Sequence, residues 1–302
     1  MLAITFLTCA SFVKAKEIAL AFDATLAKSS SLDGMARSQM LVRNMIKVNV
    51  NQAMFLIHTK DITAKTQARV LLYDDAGQLI VNKGHKHWFL SRPDNYKYQV
   101  DILRANAELE PYLHYHKHIY FPFLYEGNDL AQLNQLKKFL SDYDYQPTYA
   151  TYIAQDDYLN QLYQSRIADG KIVEINRLEK AYVKLIMDDL IRYDNQAHLM
   201  LGYSPRQVLL LHENDLAAYF IVALVDALNE HGWNVIDAEK IFSDPVANPY
   251  LVNGYSGVGY MQSITGLPDA QQDHAYIITP KERERVHAYL REQGLDSLLP
   301  TQ

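Results

Sequence analysis

Val208-Leu209-Leu210-Leu211-His212-Glu213-Asn214-Asp215-Leu216 is the stretch whose reading decides the fold. It opens on a short, wholly apolar run, then turns polar. From Leu216 to Asn229 apolar residues recur at helical spacing. A run that short and that apolar predicts a strand buried on both faces, and such strands belong to parallel sheets covered by helices. The same grammar repeats outward in both directions. Ile18 to Phe22 is a short apolar run that ends on Asp23, Ala53 to Ile57 ends before His58, and Leu79 to Val81 comes before His85 and His87. Ile119 to Phe121, Thr151 to Ile153 and Val235-Ile236 complete the strands. Between them the spacing predicts helices over Met35 to Val48, Tyr98 to Leu109 and Asp129 to Leu140. A further long amphipathic helix carries Ile172, Ile175, Leu178, Tyr182, Leu185 and Ile186, and Pro280 to Glu292 forms a last one. Strands alternating with helices predict an α/β fold with a parallel sheet.

The 302 residues show no repeat, no low-complexity tract and no linker rich in Pro, Gly or Ser, so one domain is the simplest organisation. A formal net charge of -6 gives no basis for nucleic-acid binding, which calls for a basic face. No apolar run reaches the ~20 residues of a membrane span. Residues 1–15 read as an export signal. Leu2 to Phe12 is almost wholly apolar, and Val13-Lys14-Ala15 puts small residues where a signal peptidase inspects the chain. The expected mature domain is 16–302, in the periplasm or secreted. The single cysteine, Cys9, falls inside the signal, so the mature chain has no disulfide to rely on. Oligomeric state leaves no mark on the sequence.

In a parallel barrel, functional side chains sit where strands end and loops begin. That rule singles out Asp23, His58, His85, His87, Tyr120 and His212. Three segments, taken together and in order, resemble the polysaccharide deacetylases of the NodB-homology type, carbohydrate esterase family 4. They are Ile18 to Asp23; Gly77 to Asn82 with His85 and His87 behind; and Val208 to Leu216 with Gly232-Trp233 downstream. Phe121-Pro122-Phe123-Leu124-Tyr125-Glu126-Gly127 and Asp156-Asp157-Tyr158 resemble two further segments of that family. The resemblance spans nearly the whole mature chain. It implies a distorted parallel (β/α) barrel of the glycoside hydrolase–deacetylase type, with a hydrolase acting on the carbon–nitrogen bonds of N-acetylated sugars. A divalent metal such as zinc would activate water, lowering its pKa toward ~7 in the best zinc sites.

Carried over residue by residue, the resemblance gives Asp23 as base, His212 as general acid and Leu210 in the acetyl pocket. His87 is the matching metal histidine, and Tyr120, Phe123 and Tyr158 line the glycan mouth. The departures fall on the metal. Ala24 stands where the family has its metal aspartate, and Lys83 where it has its first metal histidine. Tyr120 replaces the arginine that steers the base, and Ala154 replaces an aspartate ahead of Asp156-Asp157. One imidazole cannot hold a hydrolytic metal, because catalytic sites generally supply three protein ligands. His58 and His85 are the candidate substitutes, and neutral imidazoles with a carboxylate suit zinc. Two readings of the acetylated-glycan site follow. In one, a substitute ligand set holds zinc and the chain hydrolyses. In the other, no metal is held, Lys83 fills the space and pairs with Asp23, and the chain is an inactive relative that binds a glycan or protein partner.

The remaining candidates have plainer readings. His114, His116 and His118 alternate, but Pro111 and Tyr112 just ahead favour a solvated loop, with the strand starting near Ile119. Asp74-Asp75 and Asp188-Asp189 read as solvated helix faces, and Asp215 as the cap of the helix it opens. Most of the 22 tyrosines occupy core periodicity. Gly254 to Gly259 lacks the strand and lysine of a phosphate loop, and no Gly-x-Ser-x-Gly elbow is present.

Overall fold

The computed structural model describes residues 16–26, 28, 30–86, 95–120, 130–243 and 278–300. The expected export signal, His87 and Phe123 all lie outside them. Eight strands, every pair parallel, form one sheet: β1 Lys16–Asp23, β2 Met54–Ile57, β3 Leu79–Asn82, β4 Tyr115–Tyr120, β5 Gln146–Thr148, β6 Tyr152–Ile153, β7 Gln207–His212 and β8 Trp233–Val235. The order is β5-β4-β3-β2-β1-β7-β6, and β8 pairs with the first residues of β1, below the stretch that β2 occupies. The two outer strands of that order are neighbours in sequence, separated only by Tyr149, Ala150 and Thr151. One stretch of chain therefore pairs with β4 at its start and with β7 at its end. That joins the two edges of the sheet and makes the distorted barrel that the sequence resemblance implied.

Helices α1 Gly34–Lys47, α2 Gln67–Asp75, α3 Asn95–Leu109, α4 Leu130–Asp142, α5 Asp156–Ala168, α6 Ile175–Leu201, α7 Asp215–Glu230 and α8 Pro280–Glu292 surround it. Val208, Leu209, Leu210 and Leu211 are wholly buried, as their unbroken apolarity required. Burying each such side chain is worth about 1.5–3 kcal/mol. Local signals start and stop the helices. Asp33 caps α1 through the amides of Met35 and Ala36, and Gly202, at positive φ, ends α6. Thr279, Pro280 and Glu282 form a capping box at α8.

Several expectations are corrected. The long helix begins at Ile175 rather than Ile172, which is 94% exposed, and it runs on to Leu201. Strand β4 starts at Tyr115, so His116 and His118 are strand residues and not loop. Nearby chemistry explains this early start. Asp74 is buried and accepts from the backbone amides of Leu113 and His114 and pairs with the His114 ring, which holds the chain in line with β3. Asp74 is thus no solvated face. Asp189 is not one either: it is buried, accepts from the Tyr152 hydroxyl and pairs with Arg192 and Arg285, which fastens α8 to α6 and β6. The cap of α7 is Asn214, whose side chain accepts from Ala217. Asp215 instead accepts from the hydroxyls of Ser30 and Ser31 and from the Leu32 amide.

Candidate functional site

Parallel strands that end at one level deliver their next residues to one mouth. The register sets Asp23 beside His212 across β1 and β7, and beside Leu56 across β1 and β2, with His58 just beyond. The Lys83 amide donates to the Ile57 carbonyl, which continues the β2–β3 ladder and carries the Lys83 side chain into the same space. There Lys83 Nζ lies 2.5 Å from Asp23 Oδ2. The lysine side chain is wholly buried and that of Asp23 is 12% exposed. The loop that delivers Lys83 is tightly held. Asn82 accepts from the Gly84 amide at 2.7 Å and donates to the Ile102 carbonyl. Asp101 accepts from the His85 amide at 2.8 Å. Gly84 has φ +85, and a Cβ there would come 2.8 Å from Asp101 Oδ2, so this turn needs glycine.

The second half of the site is a histidine held by a carboxylate. His212 Nδ1 lies 2.8 Å from Asp156 Oδ1, and Asp156 Oδ2 accepts from the His212 amide and from Asn214 Nδ2. Asp156 is buried, so its orientation is fixed by these contacts. Sequence reasoning missed this residue because Ala154 stands where the family pattern expects the aspartate. Asp156 opens helix α5 two positions later and contacts His212.

Electrostatics follow from these neighbours. Burial alone would push the Asp23 carboxyl up, but Lys83, His212 and His58 together hold it well below the usual carboxylate range. Burial pushes the Lys83 ammonium down, against the pull of Asp23. For His212, burial is outweighed by Asp156, Asp157 and Asp23, and its pKa is raised. Asp61, just past the end of β2, is pushed up, first by burial.

The other sequence candidates divide. Leu210 is wholly buried in the middle of β7, and Tyr120 ends β4 with 1% of its surface exposed. His58 is buried at the mouth and acts on Asp23. His85 turns aside: its Nδ1 lies 2.9 Å from the Thr59 hydroxyl and 3.4 Å from Glu108. Tyr158 faces the last helix. Its hydroxyl lies 2.5 Å from His287 Nε2, and Arg283 sits over its ring.

A metal of the kind the family resemblance implies does not fit the donors among the described residues, which do not include His87. Among the described residues no group of three His, Cys, Asp or Glu side chains is placed to share an ion. The carboxylate that would face the ion is already paired with an ammonium 2.5 Å away. A second cation beside Lys83 would meet direct repulsion.

No family model matches the chain, and no curated protein matches it. Solved structures do. A mutant of a family 4 carbohydrate esterase pseudoenzyme, described as having restored enzymatic activity, superposes with a TM-score of 0.52 at 12% identity, over 76% of this chain and 69% of that one. The wild-type pseudoenzyme, from Bacillus anthracis, gives a TM-score of 0.51 at 12% identity, over 76% of this chain and 66% of that one. The chain therefore has the fold of a family 4 carbohydrate esterase domain: a parallel sheet rolled toward a barrel, with helices outside.

Proposed function

We propose that this chain is a metal-free relative of the polysaccharide deacetylases that binds an acetylated glycan at the barrel mouth without hydrolysing it. The observation that carries the reading is the buried Lys83–Asp23 pair. Asp23 stands in the position of the base, and Lys83 stands where a metal ligand would be. Their pairing removes both the free carboxylate that would take a proton from water and the room for an ion to activate that water. Deacetylation of this type needs both. The fold likeness to a pseudoenzyme supports the reading, since this scaffold persists in a chain described as inactive. Residues 1–15, with their apolar run, support action outside the cytoplasm, where such glycans lie.

One observation favours the hydrolytic alternative. The His212–Asp156 pair keeps the geometry of a general acid, with Nδ1 occupied and the raised pKa that a proton donor needs. Titration calorimetry with chito-oligosaccharides and peptidoglycan fragments, in excess chelator, separates the two readings. The expected result is binding that chelator leaves unchanged, with no acetate released over long incubation. Acetate release that chelator abolishes, or no binding to any acetylated glycan, overturns the proposal.

A further inference from the structure

The Lys83–Asp23 contact has a chemistry of its own, whatever the mouth binds. A primary amine and a carboxyl are held within hydrogen-bond reach, in a nearly dry site, from the end of β1 and the residue after β3, with β2 between these strands. The carboxyl carbon lies one bond beyond the contacted oxygen. That brings Nζ to the neighbourhood of the roughly 3–3.5 Å approach from which intramolecular attack proceeds, with the entropy of encounter already lost on folding. We propose that Lys83 and Asp23 condense into an intramolecular isopeptide bond that covalently links the ends of β1 and β3.

The step balances without any co-reactant. One proton passes from the Lys83 ammonium to the Asp23 carboxylate, giving a free amine beside a neutral carboxylic acid. The amine lone pair forms a bond to Asp23 Cγ. The C–OH bond then breaks, and the hydroxyl leaves as water with a proton from the nitrogen, so an amide replaces the pair. The neutral pair is the minor form, since Lys83, His212 and His58 favour the Asp23 carboxylate, so the step is slow and draws on the permanence of the contact. The neighbours are those the step needs. His212, held by Asp156, faces Asp23 and can pass protons. The loop around Gly84 and Asp101 holds the amine in place. The product is neutral and stays buried, so the desolvated ion pair at the heart of the mouth disappears.

Intact mass spectrometry of the purified full chain decides this. The expected result is a mass lower by one water than the sequence between the observed termini requires. Protease digestion should yield a branched peptide joining the segment with Asp23 to the one with Lys83, and no cleavage after Lys83. Lys83→Arg and Asp23→Ala should each restore the full mass. Two separate variants are used so that misfolding of one does not decide the matter. Full mass in the wild-type chain after days at neutral pH overturns the proposal. A loss of water that maps to any other residue also overturns it.

Discussion

Glu213→Ala is expected to destabilise the fold by about 3–5 kcal/mol, the cost of breaking a buried ion pair by removing one partner. The Glu213 side chain is wholly buried, and two guanidinium groups converge on it. Arg37 Nε lies 3.0 Å from Oε1, and Arg69 Nη2 makes a short contact with Oε2. Both arginine side chains are within 3% of complete burial. They come from α1 and α2, and Glu213 follows β7, so the cluster locks two surface helices to the centre of the sheet. Removing the carboxylate strips Arg69 of the acid it pairs with and leaves Arg37 only Asp215, 3.6 Å from its Nη1. In a domain of this size the loss corresponds to a fall in Tm on the order of 10 °C. Lys184→Ala is the control. It removes an exposed pair with Asp188 four residues on and a contact of Nζ over the Tyr289 ring, together worth about 1 kcal/mol or less. Urea unfolding of both variants checks the prediction. A Glu213→Ala loss below about 1 kcal/mol would show that the two arginines find water instead.

Acid should weaken the protein through His118. This side chain is buried, its ring lies flat on Phe242 at a centroid distance of 3.7 Å, and its Nδ1 has no hydrogen-bond partner among the described residues. Burial, helped by nearby His116, lowers its pKa from 6.5 to about 4. As pH falls below 6.5 the unfolded chain takes up a proton at this position, and the folded chain does not until about pH 4. Stability therefore drops across that window and levels off beneath it. The full shift corresponds to roughly 3 kcal/mol. His212 works in the opposite sense, since its raised pKa contributes stability that is lost as pH rises through the folded value. His118→Phe isolates the first effect and keeps the stack on Phe242. Its unfolding free energy should vary much less between about pH 7 and about pH 4.5 than the wild type's. An unchanged slope would mean that His118 is already protonated in the folded state.

The fold was readable in sequence because strands β1, β2, β3 and β7 are built on short apolar runs. Val208–Leu211 and Ile18–Phe22 are short and evenly apolar, which favours a strand buried on both faces, and the residue after each run marked the mouth. Asp23, His58 and His212 were found in this way. Strand β5, with its proline and threonine, and helix α2 carry no such signal, and both passed unnoticed. The buried carboxylates were misread for a common reason. Asp74 and Asp189 look like surface residues until distant partners such as the Leu113 amide and Arg285 arrive, and no local pattern encodes those partners. Asp156 was hidden by the expectation that its role belonged two positions earlier. The Lys83–Asp23 pair, in contrast, followed directly from noticing a lysine where a metal ligand was due.

Zinc content tests the central claim, that Lys83 occupies the place of the metal. The purified chain is loaded with zinc, desalted and measured by elemental mass spectrometry beside the double variant Lys83→His, Ala24→Asp. The expected result is no stoichiometric zinc in the wild type and about one ion per chain in the variant, which regains two oxygen or nitrogen donors beside Asp23. About one tightly held ion in the wild-type chain would contradict the account and return the site to hydrolysis.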